Sequence, residues 1–483
     1  PDSRRPRREM TGSQEYDVVV IGAGAVGENA AERVVKAGLR AALVESDLIG
    51  GECSYWACMP SKALLRGSEI LSEARAVPGA AEAITGTQDV AQTLERRDGF
   101  TSNWSDEGQA KWVAGAGIEL FRGTGRLAGP KRVEVEGKDG ETTTLTARQA
   151  VVVATGSHAT LPPIDGLAQA RPWTSREATS AKAAPRRLVV IGGGVVAVEM
   201  ATAWRALGSE VVMLVRGARL LGRLEPFAGD LVLAGLRELG VDVRTEVEVD
   251  RASRDGNTVT VGMGDDTVDG DQVLVATGRT ADTSDLGLET VGLTPGESLE
   301  VDDTCRVTGV VGGWLYATGD VNGRRLLTHM GKYQARACGS AIAARARGEQ
   351  VDGGAWELTS ATADHGATPS VVFSSPTVAS VGRTEEEARQ DGLHVRAVRY
   401  EIGNVSGASL YADGYTGTAK IVVDEDRRIL VGATFVGPGV QELLHSATVA
   451  IVGQVTIDRL WHAVPSYPTI SEVWLRLLET YGL

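Results

Sequence analysis

The sequence predicts an α/β protein: two strand–turn–helix units of the doubly wound kind, followed by a C-terminal α+β domain. Three observations predict it. A buried-strand pattern, Tyr16-Asp-Val-Val-Val-Ile21, runs into the glycine turn Gly22-Ala-Gly24-Ala-Val-Gly27 and an amphipathic stretch. The same order recurs at Arg187-Leu-Val-Val-Ile191, Gly192-Gly-Gly194-Val-Val-Ala197 and a helical run through Ala206. From about Pro369 the texture changes to polar–apolar alternation, at Lys420–Val423 and Ile429–Phe435, and then to helices. A glycine turn between strand and helix lets the backbone approach a pyrophosphate, which then rests on the helix N-terminus. Two such units predict two Rossmann-like dinucleotide-binding domains.

At 483 residues the chain is long enough for two to four domains. Its net charge, 49 − 63 = −14, argues against nucleic acid or anionic membrane surfaces as partners. No apolar run approaches the roughly 18 residues of a membrane span. The opening PDSRRPRREM is charged and lacks an apolar signal core, so a cytoplasmic protein is expected, with Met10 as its start and residues 1–9 an upstream remnant. Four cysteines in such a chain do not form a disulfide scaffold.

In the first unit, Ala41-Ala-Leu-Val-Glu45 is the next strand, and Glu45 lies 45 − 24 = 21 positions past the central glycine, where a ribose-binding acid belongs. The same count from Gly194 reaches Val215, with Arg216 after it. A free ribose favours a carboxylate, whereas a 2′-phosphate favours a guanidinium. Arg216, with Arg219 or Arg223 behind it and Ala197 in the third-glycine position, therefore predicts NADPH ahead of NADH. An acid in one unit and a base in the other imply two different dinucleotides. A third marker, Gly313-Trp-Leu-Tyr-Ala-Thr-Gly319-Asp320, is a short apolar strand ending in glycine and an acid. Two similar strand ends, Val153-Ala-Thr155-Gly156 and Val275-Ala-Thr-Gly278, bracket the second unit, as when one domain interrupts another.

Between the first two strands' territory and the second unit lies Gly50-Gly51-Glu-Cys53-Ser-Tyr-Trp-Ala-Cys58-Met-Pro-Ser-Lys62. A zinc site would need a second pair or histidines nearby, and Cys305 and Cys338 are isolated. A structural staple over so short a loop would gain only about 2 kcal/mol and would tend to be reduced in the cytosol. A redox pair is the favoured reading. In one regular helix residues five apart rise about 7.5 Å, too far for a disulfide, so Cys53 should precede the helix that Cys58 opens. Pro60 suits the first turn, and Cys58 at the positive helix end would favour its thiolate.

With these motifs in order along Tyr16–Leu483, the chain resembles the pyridine nucleotide–disulfide oxidoreductases, the group of dihydrolipoamide dehydrogenase, glutathione and mycothione reductases, mercuric reductase and soluble transhydrogenase. The resemblance implies an FAD domain in two segments (10–160 and 281–364), an NAD(P) domain between them (161–280) and a dimerisation domain (365–483) forming a homodimer. It implies that Glu45 holds the FAD adenosine ribose and Asp320 the ribityl chain. Cys58 would be the thiol against the flavin, and Cys53 the outer thiol that meets substrate. Lys62 and Glu199 match the family's ion pair beside flavin N5, and Glu199 is otherwise a lone acid in an apolar helix. Cofactor contacts are expected at Gly22, Gly24, Gly27, Glu45, Gly51, Lys62, Thr155, Gly156, Gly192, Gly194, Ala197, Arg216, Gly278, Gly319 and Asp320, and no metal site is expected.

Two departures bear on the acceptor. The family's disulfide reductases carry a histidine base before Pro-Thr, oriented by a glutamate; here Tyr467 precedes Pro468-Thr469, while Glu472 is in place. A phenol of ordinary pKa near 10 is a poor general base at neutral pH. Of the six histidines, His462 is nearest in sequence, and His329 follows Asp320 by nine positions. Trp56 between the cysteines, together with Tyr467, resembles the soluble transhydrogenase branch, although that branch often lacks the second cysteine. A mercuric reductase is disfavoured, because Leu475–Leu483 has no cysteine pair and no metal-binding extension precedes Met10. The expected function is hydride transfer from NADPH through FAD to a small-molecule acceptor, quinone-like or nicotinamide. A dihydrolipoamide dehydrogenase or low-molecular-weight disulfide reductase with an atypical base is the alternative, ahead of a flavin-binding redox sensor.

Overall fold

The computed structural model describes residues 14–483, so the start expected at Met10 lies outside the described residues. The chain divides into two compact units, each assembled from three segments. The first comprises residues 14–54, Trp104–His158 and Arg279–Asp364; the second comprises Tyr55–Asn103, Ala159–Gly278 and His365–Leu483.

In the first unit, strand Gln14–Ile21 lies parallel between Ala41–Glu45 and Thr142–Val153. Glu119–Arg122 extends the sheet on one side in parallel. On the other side Leu315–Ala317 joins the C-terminal half of Thr142–Val153, also parallel. Val18, Val19 and Val20 are all fully buried, as a parallel strand covered on both faces requires. Helix Ala25–Lys36 packs on helix Thr328–Ala346 through small residues. At Gly339 a Cβ would come within 2.7 Å of the Arg33 side chain. That close approach is available only to glycine.

The second unit holds the sheet order Asp242–Thr245, Glu210–Val215, Arg187–Ile191, Gln272–Val275, parallel throughout. Its C-terminal segment forms a five-stranded antiparallel sheet in the order Pro369–Val372, Val378–Gly382, Ile429–Val436, Thr418–Asp424, Val395–Glu401. The two sheets contribute to one apolar cluster, in which Leu188, Met200 and Trp204 gather with Leu64, Val372, Val378 and Val436. The alternation read from the sequence at Lys420–Val423 does not mark a solvent face. Every residue of Thr418–Asp424 and Ile429–Val436 is buried, because these strands are central in the sheet and its polar positions are covered by packed elements.

Candidate functional site

The first glycine turn is built by exclusion. Gly22 has φ +99°, and a Cβ there would stand 2.4 Å from the Ala154 carbonyl oxygen; one at Gly27 would stand 1.9 Å from that of Gly22. Gly24 caps helix Ala25–Lys36 and pairs with Gly50, whose N–H donates to Ala23 O at 2.8 Å. Gly51, at φ +58°, comes so close that its Cβ would lie 2.9 Å from Gly24 Cα. The peptide leading to Cys53 is thus pressed against the turn. Glu45 ends its strand beside it, buried, accepting from the N–H groups of Ala23 and Asp47 at 2.7 Å each. Burial raises its carboxyl pKa and the two amide donors pull against that shift.

At the end of Leu315–Ala317, Gly319 has φ +80° and donates its N–H to Gln334 Oε1 at 2.8 Å. Asp320 accepts from Ser157 Oγ at 2.6 Å, and Ser157 Oγ accepts from Arg279 Nε at 2.7 Å. The Arg279 guanidinium also lies 3.7 Å from Glu52, the residue before Cys53. Thr155 Oγ1 donates to Asp282 O at 2.7 Å, and Gly156 O accepts from Asp282 N–H at 3.0 Å. Glu52, Ser157 and Arg279 escaped the sequence reading. Ser157 and Arg279 each directly follow the glycine of an Ala-Thr-Gly strand end, and that position was the available signal.

The second unit carries its own turn. A Cβ at Gly192 would stand 2.3 Å from Ala276 O, whereas one at Gly194, the cap of helix Val195–Ala206, or at Gly278 would meet nothing within 4 Å. A ligand can therefore approach Gly194 closely. Ala197 is fully buried and Arg216 is exposed, as are Arg219 and Arg223. Lys62 Nζ lies 2.7 Å from Glu199 Oε2, and Phe373 N–H donates to Glu199 Oε1 at 3.1 Å. The ammonium also sits 4.9 Å from the Phe373 ring centroid. Three separate segments of the second unit therefore meet at one buried carboxylate, which explains how an acid is tolerated in an apolar helix.

Cys53 lies in a short helix, Gly51–Tyr55, and Cys58 is the first residue of helix Cys58–Arg75. Both are half-buried. No side chain caps the second helix, and Cys58 occupies its first position, at the positive end of the helix. Trp56 is pinned between the cysteines: Thr179 Oγ1 donates to its carbonyl at 2.9 Å, and the Arg176 guanidinium lies 4.0 Å from its ring centroid. Helix Ser175–Ser180, which supplies both contacts, is held in turn by the fully buried Arg97, which donates to the carbonyls of Thr179 and Ala181.

The remaining site candidates lie at the surface of the C-terminal segment. Tyr467 is 75% exposed. Glu472 Oε2 accepts from Gly407 N–H at 2.9 Å and from Thr469 N–H at 3.3 Å, completing a capping box with Thr469. All six histidines are exposed; His158 pairs with Asp282 and His394 with Asp426. A cavity of about 310 Å³ in the first unit, bordered by Lys131, Arg306, Tyr316 and Arg345, contains none of the site candidates.

Comparison with known proteins decides the family. The family model described as pyridine nucleotide-disulphide oxidoreductase matches residues 16–348, and the dimerisation domain of the same family matches 368–477. The chain belongs to the pyridine nucleotide-disulphide oxidoreductases. It is 30% identical to a mercuric reductase of Staphylococcus aureus over 463 residues, covering 95% of this chain and 81% of that one. To a dihydrolipoyl dehydrogenase of Chlamydia pneumoniae it is 29% identical over 469 residues, 96% of each chain. In fold it is similar to the Escherichia coli HOCl-induced flavoprotein disulfide reductase RclA in its Cu(II) complex, with a TM-score of 0.82, 24% identity and coverage of 96% and 99%. As a family member it is an FAD-dependent enzyme that works with a pyridine nucleotide. The chemistry of the first unit fits that cofactor: a glycine cradle that a Cβ would fill, with a buried carboxylate beside it. Among the described residues no helix is long and apolar enough to cross a membrane.

Proposed function

We propose that the protein is a homodimeric NADPH oxidoreductase that passes reducing equivalents through FAD and the Cys53–Cys58 pair to a non-thiol acceptor, quinone-like or a second nicotinamide. FAD, when bound, supplies the two-electron relay between a nicotinamide and a dithiol. The chain's own residues do the rest. Glu45 offers carboxylate lone pairs to ribose hydroxyls beside the first glycine turn, and Asp320, oriented by Ser157 and Arg279, serves the ribityl chain. Lys62, fixed by Glu199 and packed on Phe373, holds a cation at a constant position. Cys58, at an uncapped helix start, is favoured as thiolate. Arg216 offers the 2′-phosphate a guanidinium in place of an acid. By this assignment 10–160 and 281–364 serve FAD, 161–280 serves NADPH and 365–483 the dimer.

Tyr467 carries the acceptor reading. Thiol–disulfide exchange needs a base beside the outer thiol, and at the position where the family's histidine would stand this chain has an exposed phenol, a side-chain type that is a poor general base at neutral pH. The test is an anaerobic acceptor panel (quinones, a nicotinamide analogue, lipoamide, glutathione disulfide and mercuric ion) run on the protein and on Tyr467→His. Quinone or nicotinamide turnover by the unmodified protein, with lipoamide or glutathione activity rising at least about tenfold in Tyr467→His, is expected. Fast lipoamide turnover by the unmodified protein would instead assign the dihydrolipoyl dehydrogenase activity named for a relative that aligns along 96% of this chain.

A further inference from the structure

The exposed arginines 216, 219 and 223 share one loop, which leaves strand Glu210–Val215 and ends at Glu225, the cap of helix Pro226–Glu238. Its middle is seated on its own fold. Leu220 and Leu221 are buried, Leu221 N–H donates to Gly193 O at 2.8 Å, and a Cβ at Gly229 would come within 2.3 Å of Leu220 O. Its far end is held from elsewhere. Glu225 is 3% exposed, and both of its carboxylate oxygens are taken by the C-terminal segment. Lys420 Nζ lies 2.7 Å from Oε2, and Glu385 N–H donates to Oε1 at 2.8 Å. Lys420, itself buried, also lies 2.7 Å from Glu385 Oε2. The Arg399 guanidinium stands 4.6 Å from the ring centroid of Phe227, two residues past Glu225.

A buried ion pair is weak evidence of stabilisation, because desolvation offsets most of the Coulombic gain; geometry is what it fixes well. Here it fixes the end of an arginine-bearing loop, and it neutralises an acid that would otherwise oppose a bound phosphate from within that loop. We propose that Lys420, acting through Glu225, is a positioning residue for nicotinamide-nucleotide selectivity: it holds the 216–225 loop where its guanidiniums receive a 2′-phosphate. This rests on the NADPH reading of Arg216. Lys420 touches neither the nucleotide nor the reacting atoms in this scheme. Its effect is confined to ligands that carry the phosphate.

Calorimetric binding of 2′,5′-ADP and 5′-AMP to the flavin-loaded protein tests it, since these probes differ only in the 2′-phosphate. Lys420→Met should weaken 2′,5′-ADP roughly tenfold while leaving 5′-AMP within about twofold. The KM for NADPH should rise in step and that for NADH should not. Because Lys420→Met strands the buried Glu225 carboxylate, the paired variant Glu225→Gln with Lys420→Met provides the same reading without that buried charge, leaving only the more exposed Glu385, which keeps its pairing with Arg389. Equal weakening of both probes, or unchanged 2′,5′-ADP affinity in the folded paired variant, overturns the proposal while leaving the NADPH reading intact. Arg216→Ala separates the two: if it leaves 2′,5′-ADP affinity unchanged, the phosphate reading itself fails, and the role of Lys420 fails with it.

Discussion

Glu28 follows the third glycine of the first turn, and its Oε1 is buried with no hydrogen-bond partner among the described residues. Burial pushes its carboxyl pKa up from 4.5 to about 7; Lys332 opposes the rise and the like charge of Glu45 adds to it. Because the folded-state pKa lies above the unfolded value, the folded protein binds more protons over that interval. The contribution to stability is therefore full below pH 4.5 and is lost as pH rises toward about 7. The difference, 7 − 4.5 = 2.5 units, corresponds to about 3 kcal/mol at 1.36 kcal/mol per unit, an upper bound because water reaches part of the half-buried side chain. Glu28→Gln removes the titration while keeping the shape. Denaturant unfolding of the flavin-free protein, followed from about pH 4.5 to about pH 8, should show a steeper loss of stability in the unmodified protein than in Glu28→Gln. The variant should be the more stable of the two at the alkaline end. Parallel profiles would refute the buried-carboxyl argument.

Three further outcomes are expected. Arg97→Met strips two helix-end carbonyls and Asp98 of a fully buried guanidinium, and should cost roughly 3–5 kcal/mol by denaturant unfolding; a loss under about 1 kcal/mol would mean the cluster relaxes freely. Glu199→Gln keeps an acceptor for Phe373 N–H but leaves the Lys62 ammonium without its counter-charge, and stopped-flow flavin reduction by NADPH should slow by at least about tenfold. An unchanged rate would remove the ion pair from the hydride step. Cys58→Ser should abolish the long-wavelength absorbance of a thiolate beside oxidised flavin on anaerobic NADPH titration; its absence from the unmodified protein would sink the redox-pair assignment.

What could be read in the sequence was local. The two glycine turns, Glu45 at its fixed spacing and the Ala-Thr-Gly strand ends are short-range patterns, and the fold class follows from them. Glu199 could be recognised as an acid needing a partner, but nothing near it in sequence named Lys62, which came from family resemblance. Lys420 looked like the polar position of an alternating strand; its partner Glu225 is 195 residues away, beyond the reach of any periodicity. Arg279 and Ser157 were hidden for the same reason, each being ordinary in its own window and meaningful only beside Asp320.

The contact between Gly24 and Gly51 has a consequence for sequence change in this chain. The second glycine of the dinucleotide turn and the residue two places before Cys53 share a gap that accommodates no Cβ from Gly51, whose backbone is left-handed as well. The constraint runs one way: a methyl at Gly51 presses on the Gly24 backbone, whereas one at Gly24 would stand 4.0 Å from Gly51 Cα, an ordinary contact. Gly51→Ala should therefore be the costlier substitution, since it meets the Gly24 backbone and places a side chain on a left-handed residue, while Gly24→Ala meets only an ordinary contact there. Mutational tolerance of the redox peptide is set, in this protein, by a turn more than twenty residues upstream.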